Sequence, residues 1–329
     1  MTTFRAFRIR QDDAGYRAGL ETMRVDELSP GEVLVKAAYS SVNYKDALAG
    51  TGKGKILRQF PLNGGIDVAG HVAASSDPAF REGDAVLCTG SGLSETRDGG
   101  YGEFVRLPAS AAIALPAGLD LRESMVLGTA GFTAGLSLYR LLQNDQRPAM
   151  GPIVVTGATG GVGMLAIDIL SRAGFEVHAI SGKAEHAEFL SGLGASQVIS
   201  RQGLHWGPRA LEAARWAGAV DNVGGEMLSG LTRVIEPYGN IASCGMAGGA
   251  ELATTVMPFI IRGVSVLGIA SAGTPRPVRE AIWQHLASDW KPAHMARIAT
   301  REVSLGDLPE IFPGMLAGGS FGRTVVKLG

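Results

Sequence analysis

The chain has 329 residues, 46% of them hydrophobic and 19% charged, with a formal net charge of −1 and two cysteines. Such a composition can bury large cores, and it excludes a disordered protein or one stapled by a disulfide framework. The balanced charge gives no reason to expect nucleic acid or an acidic membrane as partner, and no window of about 18 residues is free of charge and glycine, so no membrane span is expected.

The first residues, Met1 to Arg8, have no apolar core suited to a signal peptide. Cys88 and Cys244 read as small buried hydrophobes in a reducing compartment, so a cytoplasmic location is expected. The length suits two domains. Residues 1–122 read as mostly β, with short runs at 5–9, 32–42, 65–74, 84–89 and 102–107. Turn signals separate them: Ser29-Pro30-Gly31, Asp77-Pro78, Glu82-Gly83-Asp84 and Asp98-Gly99-Gly100. From about 123 the period changes. Residues 124–142 have helical apolar spacing around Gly128-Thr129-Ala130-Gly131, and strands then alternate with helices at 152–156, 175–180, 197–200, 217–223, 240–244 and 264–269. This predicts an α/β fold with a doubly wound parallel sheet, binding its ligand outside the carboxyl ends of the strands. Residues 277–288 look helical, and 298–304 and 323–328 return to β with a helix between them. The tail is expected to rejoin the first domain, giving a discontinuous domain of 1–122 with 293–329 and a second of 123–292.

The strand at 152–156 runs into Gly157-Ala158-Thr159-Gly160-Gly161-Val162-Gly163 and then a helix. Glycines let the backbone turn sharply and approach a ligand, and the helix start offers N–H groups and a positive dipole end to a pyrophosphate. The pattern is the dinucleotide fingerprint, with Ala158 at the usual first glycine and Thr159, Gly160, Gly161 and Val162 in the bend. At the tip of the second strand, where an Asp or Glu would hold a ribose 2′-hydroxyl, the residues are Ser181-Gly182-Lys183. An acid would repel a 2′-phosphate. A hydroxyl, a bare amide and an ammonium attract one, and Arg201 past the third strand could add a second cation. NADPH is therefore expected over NADH. The strand at 264–269 ends the sheet order, and exposed edges invite pairing, so a homodimer through that edge is expected.

Several blocks carry a resemblance that runs end to end. Arg81-Glu82-Gly83-Asp84-Ala85-Val86, Gly99-Gly100-Tyr101-Gly102-Glu103-Phe104 and Gly128-Thr129-Ala130-Gly131-Phe132-Thr133-Ala134 resemble blocks of the medium-chain dehydrogenase/reductase superfamily, in its zinc-free quinone-oxidoreductase-like part. Residues 40–48, 51–55, 244–249 and 256–260 resemble the acrylyl-CoA reductase branch. The resemblance implies a GroES-like catalytic domain beside the Rossmann domain. Where zinc-dependent relatives have Gly-His-Glu, this chain reads Gly65-Ile66-Asp67, and no cysteine cluster suits a structural zinc. The six histidines lack metal-ligand spacing, so no metal is expected.

The resemblance further implies NADPH-dependent reduction of the activated C=C bond of acrylyl-CoA, or another short enoyl-CoA, giving propionyl-CoA. Hydride goes to the β-carbon, charge builds on the carbonyl oxygen, and a proton reaches the α-carbon. The alternatives are a quinone or enone reductase and, from another class, a non-catalytic NADPH-binding structural protein. The implied site is built around Asn43, Tyr44 and Asp46: Tyr44 has a ring to lie against nicotinamide and a hydroxyl for substrate, Asn43 can donate and accept, and Asp46 could instead cap the following helix. Met246, Ile260 and Ser271 are implied cofactor contacts. From the residues alone, Lys45, Lys53, Lys55 and Arg58 gather cations opposed only by Asp46, and Lys53, Lys55 and Arg58 are candidate contacts for the phosphates of an acyl-coenzyme A substrate.

Overall fold

The computed structural model describes residues 2–329. In chain order its strands are β1 (Thr3–Asp12), β2 (Gly15–Arg24), β3 (Val33–Val42), β4 (Leu62–Asn63), β5 (Asp67–Ser75), β6 (Ala85–Thr89), β7 (Phe104–Leu107), β8 (Ile113–Ala114), β9 (Ile153–Val155), β10 (Val177–Ser181), β11 (Ala195–Ser200), β12 (Trp216–Asp221), β13 (Ile235–Ser243), β14 (Ser265–Gly268), β15 (Ala299–Val303) and β16 (Arg323–Lys327). The helices are α1 (Tyr44–Thr51), α2 (Leu121–Gln143), α3 (Gly161–Arg172), α4 (Ala187–Ser191), α5 (Gly225–Val234), α6 (Met257–Arg262), α7 (Arg276–Ala287), α8 (Met295–Ile298) and α9 (Leu308–Leu316).

Two compact units divide the chain. One holds Met1–Thr129, Ala272–Ala287 and Met295–Gly329, and the other Ala130–Ser271 with Ser288–His294. The division differs from boundaries at 122/123 and 292/293 for two local reasons. The helix expected from 124 starts at Leu121 and is broken at Gly128, so its first turns stay with the first unit. Helix α7 also groups there: Arg276 Nη1 donates to Ala109 O at 2.7 Å.

The first unit is built on a seven-stranded sheet in the order β15-β16-β3-β5-β6-β8, with β7 also paired to β3, and on a three-stranded sheet β2-β1-β4. The tail enters the larger sheet through β16, which runs antiparallel to β3 with Val325 opposite Ser41. Strand β2 is the one long element with no sequence expectation. Its residues, Gly-Tyr-Arg-Ala-Gly-Leu-Glu-Thr-Met-Arg, lack a β-branched run; ladder pairing with β1 from Thr3↔Arg24 to Asp12↔Gly15 makes it a strand. A hydrophobic core including Phe7, Val35, Val68, Val105 and Phe312 fills the unit.

The second unit carries a parallel six-stranded sheet ordered β11-β10-β9-β12-β13-β14. Numbered within the unit this is 3-2-1-4-5-6, the doubly wound order whose switch point lies between its first and fourth strands, β9 and β12. Ile153, Val154 and Val155 are fully buried, as a central parallel strand covered on both faces requires. Helix α3 buries Gly163 through Leu170. Its Asp168 accepts the backbone N–H groups of Ala293 and His294 at 3.1 and 2.8 Å, which ties 288–294 to this unit. Strand β14 lies at the sheet edge. Helix α2 is apolar and long enough to cross a membrane, but 78% of its most apolar window is buried inside the fold, which marks it as a core helix.

Gly128 has φ +49°, and a Cβ there would lie 2.6 Å from Asp67 Oδ2, 2.7 Å from Ser41 Oγ and 2.8 Å from Arg323 Nη2. Gly128→Ala is expected to destabilise the protein by about 2–4 kcal/mol in urea unfolding, through positive-φ strain and overpacking. Gly19→Ala, where a Cβ would meet nothing within 4 Å, should stay within about 0.5 kcal/mol of wild type. Similar small losses from both would show that the helix break is not held by this close approach.

Candidate active site

Helix α1 begins at Tyr44, and its first turn is fixed by a buried carboxylate. Asp46 Oδ2 accepts the backbone N–H of Asn43 at 2.8 Å, and its Oδ1 accepts the N–H of Ile66 at 2.9 Å. Beside it lies Asp67, the first residue of β5. Asp67 Oδ2 accepts Ser41 Oγ at 2.6 Å, Asn43 Nδ2 at 2.8 Å and the Thr129 N–H at 2.9 Å, while Oδ1 accepts Thr129 Oγ1 at 2.5 Å. The amide of Asn43 spans the two acids, since Nδ2 also donates to Asp46 Oδ2 at 3.1 Å.

One buried guanidinium faces this pair. Arg323 Nη2 donates to Ser41 Oγ at 2.8 Å and Nη1 to Asn43 Oδ1 at 3.2 Å, while Nε and Nη1 also reach Val126 O and Val42 O. The positive charge thus reaches the acids through a hydroxyl and an amide. Gly128 matters here: breaking α2 at this point presents the N–H and hydroxyl of Thr129 to Asp67. Burial, and then the neighbouring Asp67, push the Asp46 carboxyl up to about 7. Tyr101 is fully buried, donates to Ser41 O at 3.1 Å, and has its pKa driven well above the usual phenol value by burial.

The structure assigns the expected catalytic residues different jobs. Tyr44 is 47% exposed, and its hydroxyl makes no hydrogen bond to the described residues. Asp46 is 1% exposed with both oxygens bonded, so it caps α1 and does not reach a substrate. Asn43 spends its amide hydrogens on carboxylates, which makes it a positioning residue. Lys45 pairs with Glu95, and Asp46 is buried, so the cluster of four cations opposed by Asp46 reduces to Lys53, Lys55 and Arg58, all exposed. Asp67, Thr129, Ser41 and Arg323 had no role in the sequence expectation. Asp67 sits directly after Ile66 in the block that departs from the zinc pattern, and that was the available signal. Among the described residues, no three His, Cys, Asp or Glu side chains converge as a metal site.

In the second unit the bend after β9 is closed by Gly157, at φ +58°, one residue before the alanine. Ala158 is fully buried and its N–H is bonded to Ile180 O at 3.2 Å, so it packs the turn and offers no donor to a ligand. Gly160 is the N-cap of α3, leaving the N–H groups of Gly161, Val162 and Gly163 without helical acceptors. A Cβ on Gly163 would lie 2.4 Å from Gly157 O, so only glycine lets helix and turn close together. Below the turn, Thr156 Oγ1 donates to buried Asp221 at 2.7 Å, and Asn222 Nδ2 donates to Thr156 O at 2.7 Å. These buttressing residues at the end of β12 were missed.

Strands β10 and β11 end side by side, with Ser181 opposite Ser200. A Cβ on Gly182 would meet the Arg201 guanidinium at 3.2 Å, so that group lies against the Ser181-Gly182-Lys183 tip. Ser181 Oγ accepts the Lys183 N–H at 3.0 Å, and Gln202 Nε2 donates to Gly182 O at 3.2 Å. The glycine-lined helix start fits a diphosphate, and the acid-free cationic tip fits a further phosphate. Met246 follows β13, Ser271 follows β14, and Ile260 lies on α6; Met246 and Ile260 are largely exposed. A cavity of about 730 Å³ in this unit is lined by none of these residues.

Residues 29–117 match the family model described as the alcohol dehydrogenase GroES-like domain, and 161–288 match that of the zinc-binding dehydrogenases. YhfP of Bacillus subtilis is 45% identical over 99% of both chains, and its crystal structure, solved with NAD bound, aligns with a TM-score of 0.96 over 100% of each. The acrylyl-CoA reductase AcuI of Ruegeria pomeroyi is 41% identical over 95% of this chain and 94% of its own. The YhdH oxidoreductase of Salmonella enterica, solved in complex with NADP, is 42% identical with a TM-score of 0.95, covering 99% of this chain and 100% of its own.

Because the folded protein holds the Asp46 carboxyl up at about 7, above the ordinary value of about 3.9, the native state favours its protonated form. Its contribution to stability is whole below about pH 4 and is lost as pH rises through 7. Between about pH 5.5 and 8, wild type is expected to lose unfolding free energy relative to Asp46→Asn. Parallel profiles for the two proteins would show that Asp46 does not titrate there.

Proposed function

The chain belongs to the medium-chain dehydrogenase/reductase superfamily, and from that premise we propose that it is an NADPH-dependent reductase of short enoyl-coenzyme A thioesters, converting acrylyl-CoA to propionyl-CoA. The observation that carries the cofactor is the Arg201 guanidinium lying against Gly182 beside Lys183, at a strand end where no carboxylate replaces Ser181. The substrate class is supported by whole-length likeness to proteins named acrylyl-CoA reductase.

NADPH would be held by the bend at Thr159–Val162 and by Ser181, Gly182, Lys183 and Arg201, with Met246, Ile260 and Ser271 as further contacts; when bound it supplies a hydride. The chain's own residues bind, orient and move a proton. As the β-carbon of the thioester gains hydride, negative charge collects on the carbonyl oxygen and the α-carbon needs a proton. Tyr44, exposed at the start of α1, has a hydroxyl that can donate to that oxygen or supply the proton. Asn43, Asp46, Asp67 and Arg323 fix where the helix begins, and so where Tyr44 stands. Lys53 and Lys55, on the open loop after α1, meet the diphosphate of the coenzyme. A homodimer through the β14 edge is supported by the exposed apolar residues of the same unit, Tyr238, Val256 and Ile261, and a cytoplasmic setting by two free cysteines.

The second reading is reduction of quinones, the substrates for which YhfP is named, or of free enones. Turnover measured with acrylyl-CoA and with a quinone, each with NADPH and NADH, separates the two. Acrylyl-CoA with NADPH is expected to give the highest kcat/KM; a higher value with the quinone would overturn the substrate assignment.

Tyr44→Phe should lower kcat by about 10²–10⁴, the contribution of a positioned general acid, with little change in NADPH affinity. A loss smaller than about threefold would remove Tyr44 from the chemistry. Arg201→Ala should raise the KM for NADPH by about 10–100-fold, as expected for one charge-assisted hydrogen bond, and leave that for NADH unchanged. An equal effect on both cofactors would contradict recognition of a 2′-phosphate.

A further inference from the structure

A second cavity, of about 280 Å³, lies wholly within the first unit. Ser91, Arg97, Ser110, Thr274, Arg276 and Arg279 line it. Arg279 is 6% exposed. Its Nη1 donates to Ser91 Oγ, and its Nη2 donates to Thr274 O at 3.2 Å and Ala272 O at 3.4 Å. Its buried Nε has no hydrogen-bond partner.

What is missing is an acid. The other deeply buried guanidiniums of this unit each face a carboxylate: Arg8 pairs with Asp98 at 3.0 Å, and Arg323 faces Asp46 and Asp67. Among the described residues none forms an ion pair with Arg279. Glu280 is bonded to Arg276 at the surface, and the nearby Cys88 thiol, pushed up to about 11 by burial, is neutral at pH 7. A buried charge is costly unless paired, and an unsatisfied buried donor adds to that cost. Three guanidiniums with two serine hydroxyls around a cavity suit a tetrahedral oxyanion, because planar forks recognise phosphate through paired N–H groups.

The cavity adjoins the elements that carry Tyr44. Thr89 stands opposite Asp67 in the β5–β6 register, and Ser91, two residues on, donates to Thr89 O at 3.2 Å. The same loop carries Glu95, the partner of Lys45 on α1, and its backbone accepts the Arg58 N–H at 2.8 Å. Through Glu95 this loop touches α1 and the segment that carries Arg58, and through Ser91 it touches the arginine cavity.

We propose that this cavity binds a phosphate monoester, and that the monoester is the 3′-phosphate of the substrate's coenzyme A, an assignment of source that rests on the acyl-CoA function proposed above. A terminal phosphate can enter a cavity end-on. A diphosphate sits inside a chain and suits the open loop of Lys53 and Lys55.

The test is calorimetric, with coenzyme A, 3′-dephospho-coenzyme A and inorganic phosphate titrated into wild type, Arg276→Gln and Arg97→Gln. These two variants change cavity-lining side chains less buried than Arg279, and NADPH binding reports that each is folded. Wild type is expected to bind coenzyme A about 10–100-fold tighter than the dephospho form, the range of one strong charge-assisted contact. Both variants should bring that ratio close to one and leave dephospho-coenzyme A affinity unaltered. Equal binding of the two coenzymes by wild type, with phosphate binding still abolished by Arg276→Gln, would overturn the coenzyme assignment and keep the anion site. No effect of either variant on any of the three probes would overturn the site itself. Failure of the acyl-CoA function is distinguishable, because it is read as absent acrylyl-CoA turnover and leaves the phosphate titration intact.

Discussion

Two acids buried side by side need a cation, and the first unit provides one guanidinium that reaches them through Ser41 and Asn43. The rest of the site follows from satisfying that arrangement. Strand β16 must lie beside β3 to bring Arg323 in, which is why the tail of the chain returns to the first unit. Helix α2 must break at Gly128, both to make room and to turn Thr129 towards Asp67. Helix α1 must start at Tyr44, because Asp46 holds the N–H groups before and beside it. Buried ion networks seldom add net stability, since desolvation offsets much of their attraction. Their value here is specificity: they fix one register for α1 and one place for an exposed tyrosine.

The second unit uses the opposite strategy for charge. Its fingerprint turn has no charged side chain, only N–H groups, a closely packed glycine and the Thr156–Asp221 brace beneath. Lys183 and Arg201 stand at the adjoining ends of β10 and β11. A chain with a net charge of −1 therefore concentrates positive potential where phosphates would sit, at this strand tip and around Arg97, Arg276 and Arg279. Local fields of this kind raise the capture rate of anionic ligands independently of net charge.

Local signals made the parallel sheet legible. Apolar β-branched runs, glycines at the turn and amphipathic helices recur at short spacing, and they gave the six strands of the second unit and the glycine turn after the first of them. The nearness of Arg201 to the Ser181-Gly182-Lys183 tip was readable for the same reason, since adjoining parallel strands end together. Strand β2 was not, because its own residues argue weakly for a strand and its partner decides the matter. Nor was the role of Ala158, because which residue of the bend takes positive φ is a three-dimensional outcome that falls on Gly157. The buried centre was the least legible part. Asp67 lies 26 residues from Ser41 and 62 from Thr129, and Arg323 lies 282 from Ser41, so no window of sequence contains the group. Asn43 and Asp46 were found as a motif, but their burial, and hence their positioning role, appeared only when these distant partners converged.

The central claim is that Asp67 and Arg323 act on each other across their hydrogen-bonded relay. A double-mutant cycle measures this most directly: unfolding free energies of wild type, Asp67→Asn, Arg323→Gln and the double variant. Each single change should cost about 3–5 kcal/mol, as for a buried charge left without its partner. The double change should fall short of their sum by at least about 1 kcal/mol, within the range seen for residues sharing a network. Additivity to within about 0.3–0.5 kcal/mol would mean that the two charges do not sense each other, and the account of the site would be wrong.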